Sequence, residues 1–274
     1  MNRSVASHFS RAAESYERGA GLHRHVAARL VEMLPDPVAI GTGRILEMGS
    51  GTGVLTSLLR QRYPDASLCV LDIAEGMVRR LRETHAVDDS LWCVVGDART
   101  FATLRPFDLV VSSSALHWAV PIEAVTANVW RALKPGGRFV AALMVEGTLR
   151  ELHALRRTIA PGKIPEGRLV RTGEVLDALE GAGLALESRI EETVRARYGS
   201  ADDFLRTIHA QGLTGGDVSR AAHPLSRTEL SNLVKAYDLA YPELMGGVYA
   251  SFEVLYLESR CRFPEELTRD GMSS

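Results

Sequence analysis

The sequence predicts an α/β fold in which a parallel sheet carries helices on both faces. Three features point there. Short apolar runs alternate with helix-spaced patterns between residues 44 and 145, the order that builds strand–helix–strand units. A loop with glycine at 49, 51 and 53 joins the first run to the first helix. Acidic residues (Glu47, Asp72 and Asp97) then stand at or just beyond the ends of successive strands.

The elements follow in order. Residues 1 to about 40 read as helical and close at "LPDP", whose two prolines end the segment. "RILEM" predicts a strand and "VLTSLLRQR" a helix; "SLCVLD" and "EGMVRRLRETH" repeat the pair. "LWCVV" and "FDLVVSS" predict two further strands, followed by the helix "PIEAVTANVWRALKP" and the strand "GRFVAALM". "KPGG", residues 134–137, is expected to stop that helix and turn into the strand. Beyond about residue 146 helices dominate: "TLRELHALRRTI", "TGEVLDALEGAG", "SADDFLRTIHAQG" and "SRTELSNLVKAYDLAY". Strand-like "ALESRIEE" and "YASFEVLYLES" lie among and after them. No linker-like stretch separates this half, so it reads as a continuation of the sheet carrying an inserted helical cap. The expected organisation is a lid over residues 1–40 and one domain over 41–274, with its core at 44–145 and the capped continuation at 146–274.

Composition excludes several classes of partner. The 274 residues are 46% apolar and 24% charged, ordinary for a globular protein with a sizeable core. A net charge of −2 supplies no global attraction to nucleic acid or to an anionic membrane. No apolar run approaches the roughly 20 residues that span a bilayer. The N-terminal stretch lacks the apolar segment of a secretory signal, and Glu14 and Glu17 argue against a transit peptide. A cytoplasmic location is expected. Cys69, Cys93 and Cys261 have no metal-type spacing and read as inert thiols in a reducing compartment; no metal site is expected.

A strand, a glycine loop and a helix N-terminus make a place where a ligand lies against main chain. "GSGTG" is not the six-position G-x-G-x-x-G of a dinucleotide fold, although the loop alone leaves a dehydrogenase-like site open. Asp72 ends the second strand nineteen residues after Gly53, where an acid can accept both hydroxyls of a ribose. "GDA", residues 96–98, follows the third strand, where an acid can reach an adenine amino group. Aspartate at a strand end is also ordinary turn chemistry, so it is the set, not any one acid, that argues for a nucleoside.

This set resembles the class I S-adenosylmethionine-dependent methyltransferases over residues 44–145, on "LEMGSGTG", "LDIAEGMV", "GDA", "FDLVVSSSALHW" and "RALKPGGRFV". The resemblance implies a Rossmann-like sheet and S-adenosyl-L-methionine as cofactor. It implies that Glu47, Gly49, Gly51 and Gly53 hold the methionine part and that Asp72, with Ile73, holds the ribose. Asp97 and Ala98 would then lie beside adenine, and Ser113 would complete the cofactor site.

The flanks are similar to those of the malonyl-acyl-carrier-protein O-methyltransferases of biotin synthesis. "VASHFSRAAESYERGAGLHRHVAARLVEMLP", "SSSALHWAV" and "LMVEGTLRELHAL" carry the likeness, and "GRLVRTGEVLDAL", "FLRTIHAQG" and "PLSRTELSNLVKAYDLAY" match loosely. The chain departs from that family at Glu47-Met48-Gly49-Ser50, often D-x-G-C there, and at His117 and His23, where glutamine is usual. The resemblance implies methylation of the free carboxylate of a malonyl thioester on acyl carrier protein, at the start of pimeloyl synthesis. It makes the N-terminal helix a lid with Tyr16 near the transferring methyl, although Phe9, Ala12, Ala13 and Tyr16 share a helical face that packing alone would explain. It places Arg168 on the acyl carboxylate, a task a guanidinium fork suits; from the residues alone Arg168 is a surface arginine in a Gly/Pro loop. His117 is expected to line the acceptor pocket and Trp118 to pack. Arg79-Arg80 and Arg156-Arg157 would suit an acidic carrier, or are solvated helix faces. A carboxyl group with a pKa near ~4 is ionised at neutral pH and needs no general base, and the chain has no Asp-Pro-Pro-Tyr-like segment of amino methylators. The competing readings are a methyltransferase of another small acid or natural product without a carrier, and a non-catalytic cofactor-binding protein, which would leave the glycines and acids unexplained.

Overall fold

The computed structural model describes residues 21–85, 88–163, 167–210 and 224–262. Tyr16 and the lid helix expected around it lie outside the described residues. Helix α1 (Gly21–Val31) buries Leu22, His23, Val26, Ala27 and Leu30, one continuous face at helical spacing. The short α2 (Pro37–Ile40) follows, its first turn capped by Asp36, which accepts the Val38 amide at 2.8 Å.

Strands β1 (Arg44–Met48), β2 (Ser67–Asp72), β3 (Leu91–Val95) and β4 (Phe107–Ser113) coincide with the expected runs. Helices α3 (Val54–Arg62), α4 (Glu75–Thr84) and α5 (Ile122–Ala132) follow β1, β2 and β4. Strand β5 (Leu133–Met144) departs from expectation by beginning at Leu133 instead of Gly137. The reason is local: Leu133 pairs with Phe107 ahead of a register shift, and Lys134 Nζ bonds Asp108 Oδ1 at 2.7 Å. The Lys-Pro-Gly-Gly stretch is thereby held along β4.

The second half contributes α6 (Arg150–Ile159), α7 (Thr172–Gly181), β6 (Leu184–Tyr198), α8 (Ala201–Ala210), α9 (Arg227–Ala240) and β7 (Val248–Cys261). The seven strands form one sheet in the order β3-β2-β1-β4-β5-β7-β6. The first five are parallel, and β7 runs antiparallel between β5 and β6. This is the class I methyltransferase sheet, and α8 and α9 occupy the β6–β7 connection. Strand β6 extends to Tyr198, beyond the expected Glu192. Its later half alternates half-buried Val194, Ala196 and Tyr198 with exposed Arg195 and Arg197, the pattern of an edge strand with one solvated face.

Two apolar layers cover the sheet. One joins α1, α3, α6, α8 and α9 to residues such as Ile45, Val70, Val111, Val140 and Phe252. The other joins α5 and α7 to Leu46, Leu71, Val110, Ala141 and Leu255. Ring contacts from Tyr198 to Phe204 (5.0 Å) and Phe204 to Tyr237 (4.9 Å) tie α8 and α9 to the first layer. Among the described residues no helix is long and apolar enough to cross a membrane.

Candidate active site

Side chains alternate across a strand. Ile45, Val70, Leu109 and Val111 face the layer of α1 and α3, so Glu47, Asp72 and Ser113 fall on that same face at the carboxyl ends of β1, β2 and β4. The register brings those ends together: Met48 lies opposite Leu71 and Asp72 opposite Val95, and Ser112 Oγ donates to the Met48 carbonyl at 2.7 Å. Beyond them opens a cleft of about 1080 Å³, its mouth included. Glu47, Gly49, Gly51, Asp72, Ile73, Asp97, Ala98 and Ser113 all line it, with His23, Arg99, Ser114 and Trp118 added.

Each acid is held differently. Glu47 is 1% exposed and accepts the Thr56 hydroxyl at 2.6 Å. Burial, reinforced by the nearby Asp72 charge and opposed by the Thr56 bond, pushes its carboxyl up to about 8. Asp72 accepts the Gly51 amide through Oδ2 and the Ala74 amide through Oδ1, both at 2.8 Å. Burial raises its pKa against those bonds. Asp72 therefore shapes the glycine loop as well as facing the cleft. Asp97 is gripped by Arg99, whose Nη2 lies 2.6 Å from Oδ2; this bond holds its carboxyl below the usual range. The loop is fastened to α5 by Asn128 Nδ2, which donates to the Ala98 carbonyl at 2.8 Å. The Arg99 clamp has no sequence signal beyond a base two residues after an acid.

The glycines serve unlike purposes. A β-carbon on Gly49 would stand 2.1 Å from Ala115 Cβ, and on Gly53 2.4 Å from the His85 ring; both are close-packing positions. Gly51, with φ +54°, lines the cleft, and a β-carbon there would meet nothing within 4 Å. The buried hydroxyls of Ser50 and Ser114 have no hydrogen-bond partner among the described residues. An open cradle, two hydroxyls without a partner among the described residues and a buried acid that a nearby cation would favour in its ionised form suit a ligand that carries polar groups and a positive charge.

His117 and Trp118 exchange their expected places. Both lie on the short 3-10 turn Leu116–Trp118; Trp118 lines the cleft, whereas His117 points into the interior and is 1% exposed. Its Nδ1 accepts the Met144 amide at 3.4 Å, and its Nε2 has no partner among the described residues. Burial, then the neighbouring His23, pushes the His117 pKa down to about 3; burial, then Arg24, takes His23 to about 4. His23 and His117 are thus neighbours.

Arg168 is not among the residues lining the cleft. It stands on the loop before α7, anchored by buried Leu169 and Val170 and by the Glu146 amide, which donates to the Val170 carbonyl at 3.0 Å. Its guanidinium binds both oxygens of Glu174, Nη1 to Oε2 at 2.8 Å and Nη2 to Oε1.

Comparison with known proteins agrees with this architecture. A family model described as a methyltransferase domain matches residues 45–137. The malonyl-acyl-carrier-protein O-methyltransferase of Methylococcus capsulatus is 32% identical over 257 residues, 92% of this chain and 91% of that protein. The biotin biosynthesis bifunctional protein BioHC of Cellvibrio japonicus is 32% identical over 258 residues, 92% of this chain and 49% of that longer protein. Geranyl diphosphate C-methyltransferase from Streptomyces coelicolor, solved with Mg2+, geranyl diphosphate and S-adenosyl-L-homocysteine, has a TM-score of 0.52 at 15% identity. That alignment covers 88% of this chain and 81% of that one and is a likeness of fold. The sequence likeness runs through the second half as well as the cofactor-side core, and the chain belongs to the malonyl-acyl-carrier-protein O-methyltransferases.

Proposed function

We propose that this protein transfers a methyl group from S-adenosyl-L-methionine to the free carboxylate of a malonyl thioester on acyl carrier protein, opening pimeloyl assembly for biotin. The observation that supports the acceptor chemistry is that neither imidazole at or behind the cleft can serve as a base, while Glu47, its carboxyl raised to about 8, is bonded to Thr56 and assigned to the cofactor's ammonium. His23 and His117 resist protonation down to about pH 4 and 3, so neither takes a proton from an acceptor at neutral pH. A carboxylate is already ionised and needs no base.

When bound, S-adenosyl-L-methionine supplies an electrophilic methyl group on a sulfonium. Gly51 would leave room for the methionine chain, and Glu47 would meet the ammonium on giving up its proton. Asp72 would hold the ribose, with Ile73, Ala98, Asp97 and Arg99 lining the part of the cleft left for the base. Ser113, Ser114 and Trp118 form the wall from which water is excluded, so catalysis is mainly alignment. Arg168 turns from Glu174 to grip the malonyl carboxylate. Residues 41–274 are assigned as one methyltransferase domain; of the segment 1–40 read as a lid, α1 is packed into the core layer, so a movable cover would be confined to the residues before it, which lie outside the described residues. These residue roles rest on the resemblance and on the cleft's chemistry together.

The test is labelled S-adenosyl-L-methionine with malonyl carrier protein, malonyl-coenzyme A, free malonate, and acetyl or butyryl carrier protein. The malonyl carrier should be methylated fastest and the uncharged acyl carriers not at all. Faster turnover of malonate would move the function to a carrier-free acid. Arg168→Ala should lower kcat/KM for the malonyl carrier by tenfold or more, roughly the loss of a charge-assisted two-point contact, and leave cofactor affinity in place.

A further inference from the structure

Arg168 and Glu174 form a closed two-point pair. Both guanidinium nitrogens that face outward bind the two carboxylate oxygens of Glu174, and Nη1 also reaches the Leu169 carbonyl at 3.1 Å. The loop bearing the pair lies just past the carboxyl end of β5, on the end of the sheet that carries the cleft. Strand β5 is parallel to β4, and the loop bearing Arg168 is bonded to Glu146, two residues past the end of β5. Glu174 is fixed from the other side. Its Oε2 accepts the Arg171 amide at 2.8 Å and so caps the first turn of α7. Among the described residues Arg168 has no comparable tether beyond its contact with Leu169, and its side chain is 45% exposed. Glu174 keeps its place on the helix while Arg168, on a flexible stem, is free to swing.

A glutamate side chain ends in a methylene and a carboxylate, which is also how a malonyl group presents its acid. We propose that Glu174 is a built-in stand-in for the acceptor's carboxylate. It fills the fork of Arg168 until a malonyl group displaces it, and thereby helps to select for acceptors that bring a carboxylate of their own. This rests on the assignment of Arg168 to the acceptor. An uncharged acyl group offers nothing to exchange for Glu174 and leaves the pair closed. A carboxylate replaces one ion pair with another, so the exchange is nearly balanced, and an exposed pair is weak enough to be displaced. The neighbouring Arg171 is engaged by Glu146, Nε to Oε2 at 2.8 Å, so among these groups the exchange concerns Arg168 and Glu174.

The stand-in makes a prediction of unusual sign. Glu174→Gln keeps an amide oxygen for the Arg171 cap but removes the competing charge. KM for malonyl carrier protein should fall roughly two- to fivefold, the range of an exposed ion pair, kcat should not fall, and KM for S-adenosyl-L-methionine should not move. A glutamate that merely ordered the loop or oriented Arg168 would give the opposite: a higher KM or a lower kcat on conversion to glutamine. Thermal unfolding of the variant separates a damaged cap from a changed competition. Arg168→Ala is assayed beside it. If that variant is slow and Glu174→Gln leaves KM unchanged or raised, the stand-in is refuted while Arg168 keeps its role. If Arg168→Ala works at the wild-type rate, the assignment of Arg168 fails and the stand-in falls with it.

Discussion

Replacing Glu47 with glutamine tests the electrostatics of the cleft most directly. Glutamine has the shape of a protonated glutamic acid and can still accept the Thr56 hydroxyl that now lies 2.6 Å from Oε2. Burial pushes the acid's carboxyl up to about 8 from its ordinary 4.5. Because the folded value is raised, the stability tied to the protonated acid is fully present below pH 4.5 and is lost as pH rises towards 8. At 1.36 kcal/mol per unit, that loss amounts to about 1 kcal/mol at pH 5, about 2 at pH 6 and about 3 at pH 7. Glu47→Gln carries no such loss. Urea unfolding of both proteins at pH 5, 6, 7 and 8 should show the variant gaining on the wild type by those amounts. The titrations of His23 and His117 are common to both and cancel in the difference. Calorimetry in two buffers of different ionisation enthalpy should also show close to one proton released when S-adenosyl-L-methionine binds the wild type at pH 7, and none with the variant. Parallel stability profiles would show that Glu47 is ionised in the fold, and the reasoning from burial would be wrong.

Three further outcomes follow from packing and burial. Gly49→Ala drives a methyl group into Ala115 and should lower stability by about 1–3 kcal/mol, whereas Gly51→Val should cost about 1–2 kcal/mol for its positive φ yet abolish cofactor binding; calorimetric binding by a folded Gly51→Val protein would remove that glycine from the ligand's path. His117→Gln should flatten acid unfolding. The pKa of His117 is depressed from 6.5 to about 3, so stability present above pH 6.5 falls with pH, by about 2 kcal/mol at pH 5, and an unchanged acid slope in the variant would place the imidazole in contact with water.

Much of this protein is legible in local spacing. The strands "RILEM", "SLCVLD", "LWCVV" and "FDLVVSS" match the structure at both ends, because each is an apolar run bounded by turn residues whose preferences act over a few positions. The glycine loop and its acids were legible for the same reason: the chain must tighten where strand meets helix, and a one-residue change would move Glu47 or Asp72 to the other face. The long edge strand β6 is legible only as far as Glu192, because charges on its solvated face conceal the alternation beyond it.

What spacing did not contain is which distant groups meet. Nothing near Trp118 in the sequence says that it, and not His117, faces the cleft; the turn's orientation is set by packing of His117 against Met144 and His23, from other elements. Asp97 looks open until Arg99 is seen folded back upon it, and Arg168 looks free until Glu174 is found in its fork. The sequence by itself determined the sheet's elements, the family and the cofactor-side acids, since these depend on neighbours a few residues apart. Only the tertiary structure decided the protonation of Glu47, the burial of the two imidazoles and the pairing of Arg168, because solvation and ion pairing depend on groups that the fold, not the chain order, brings together.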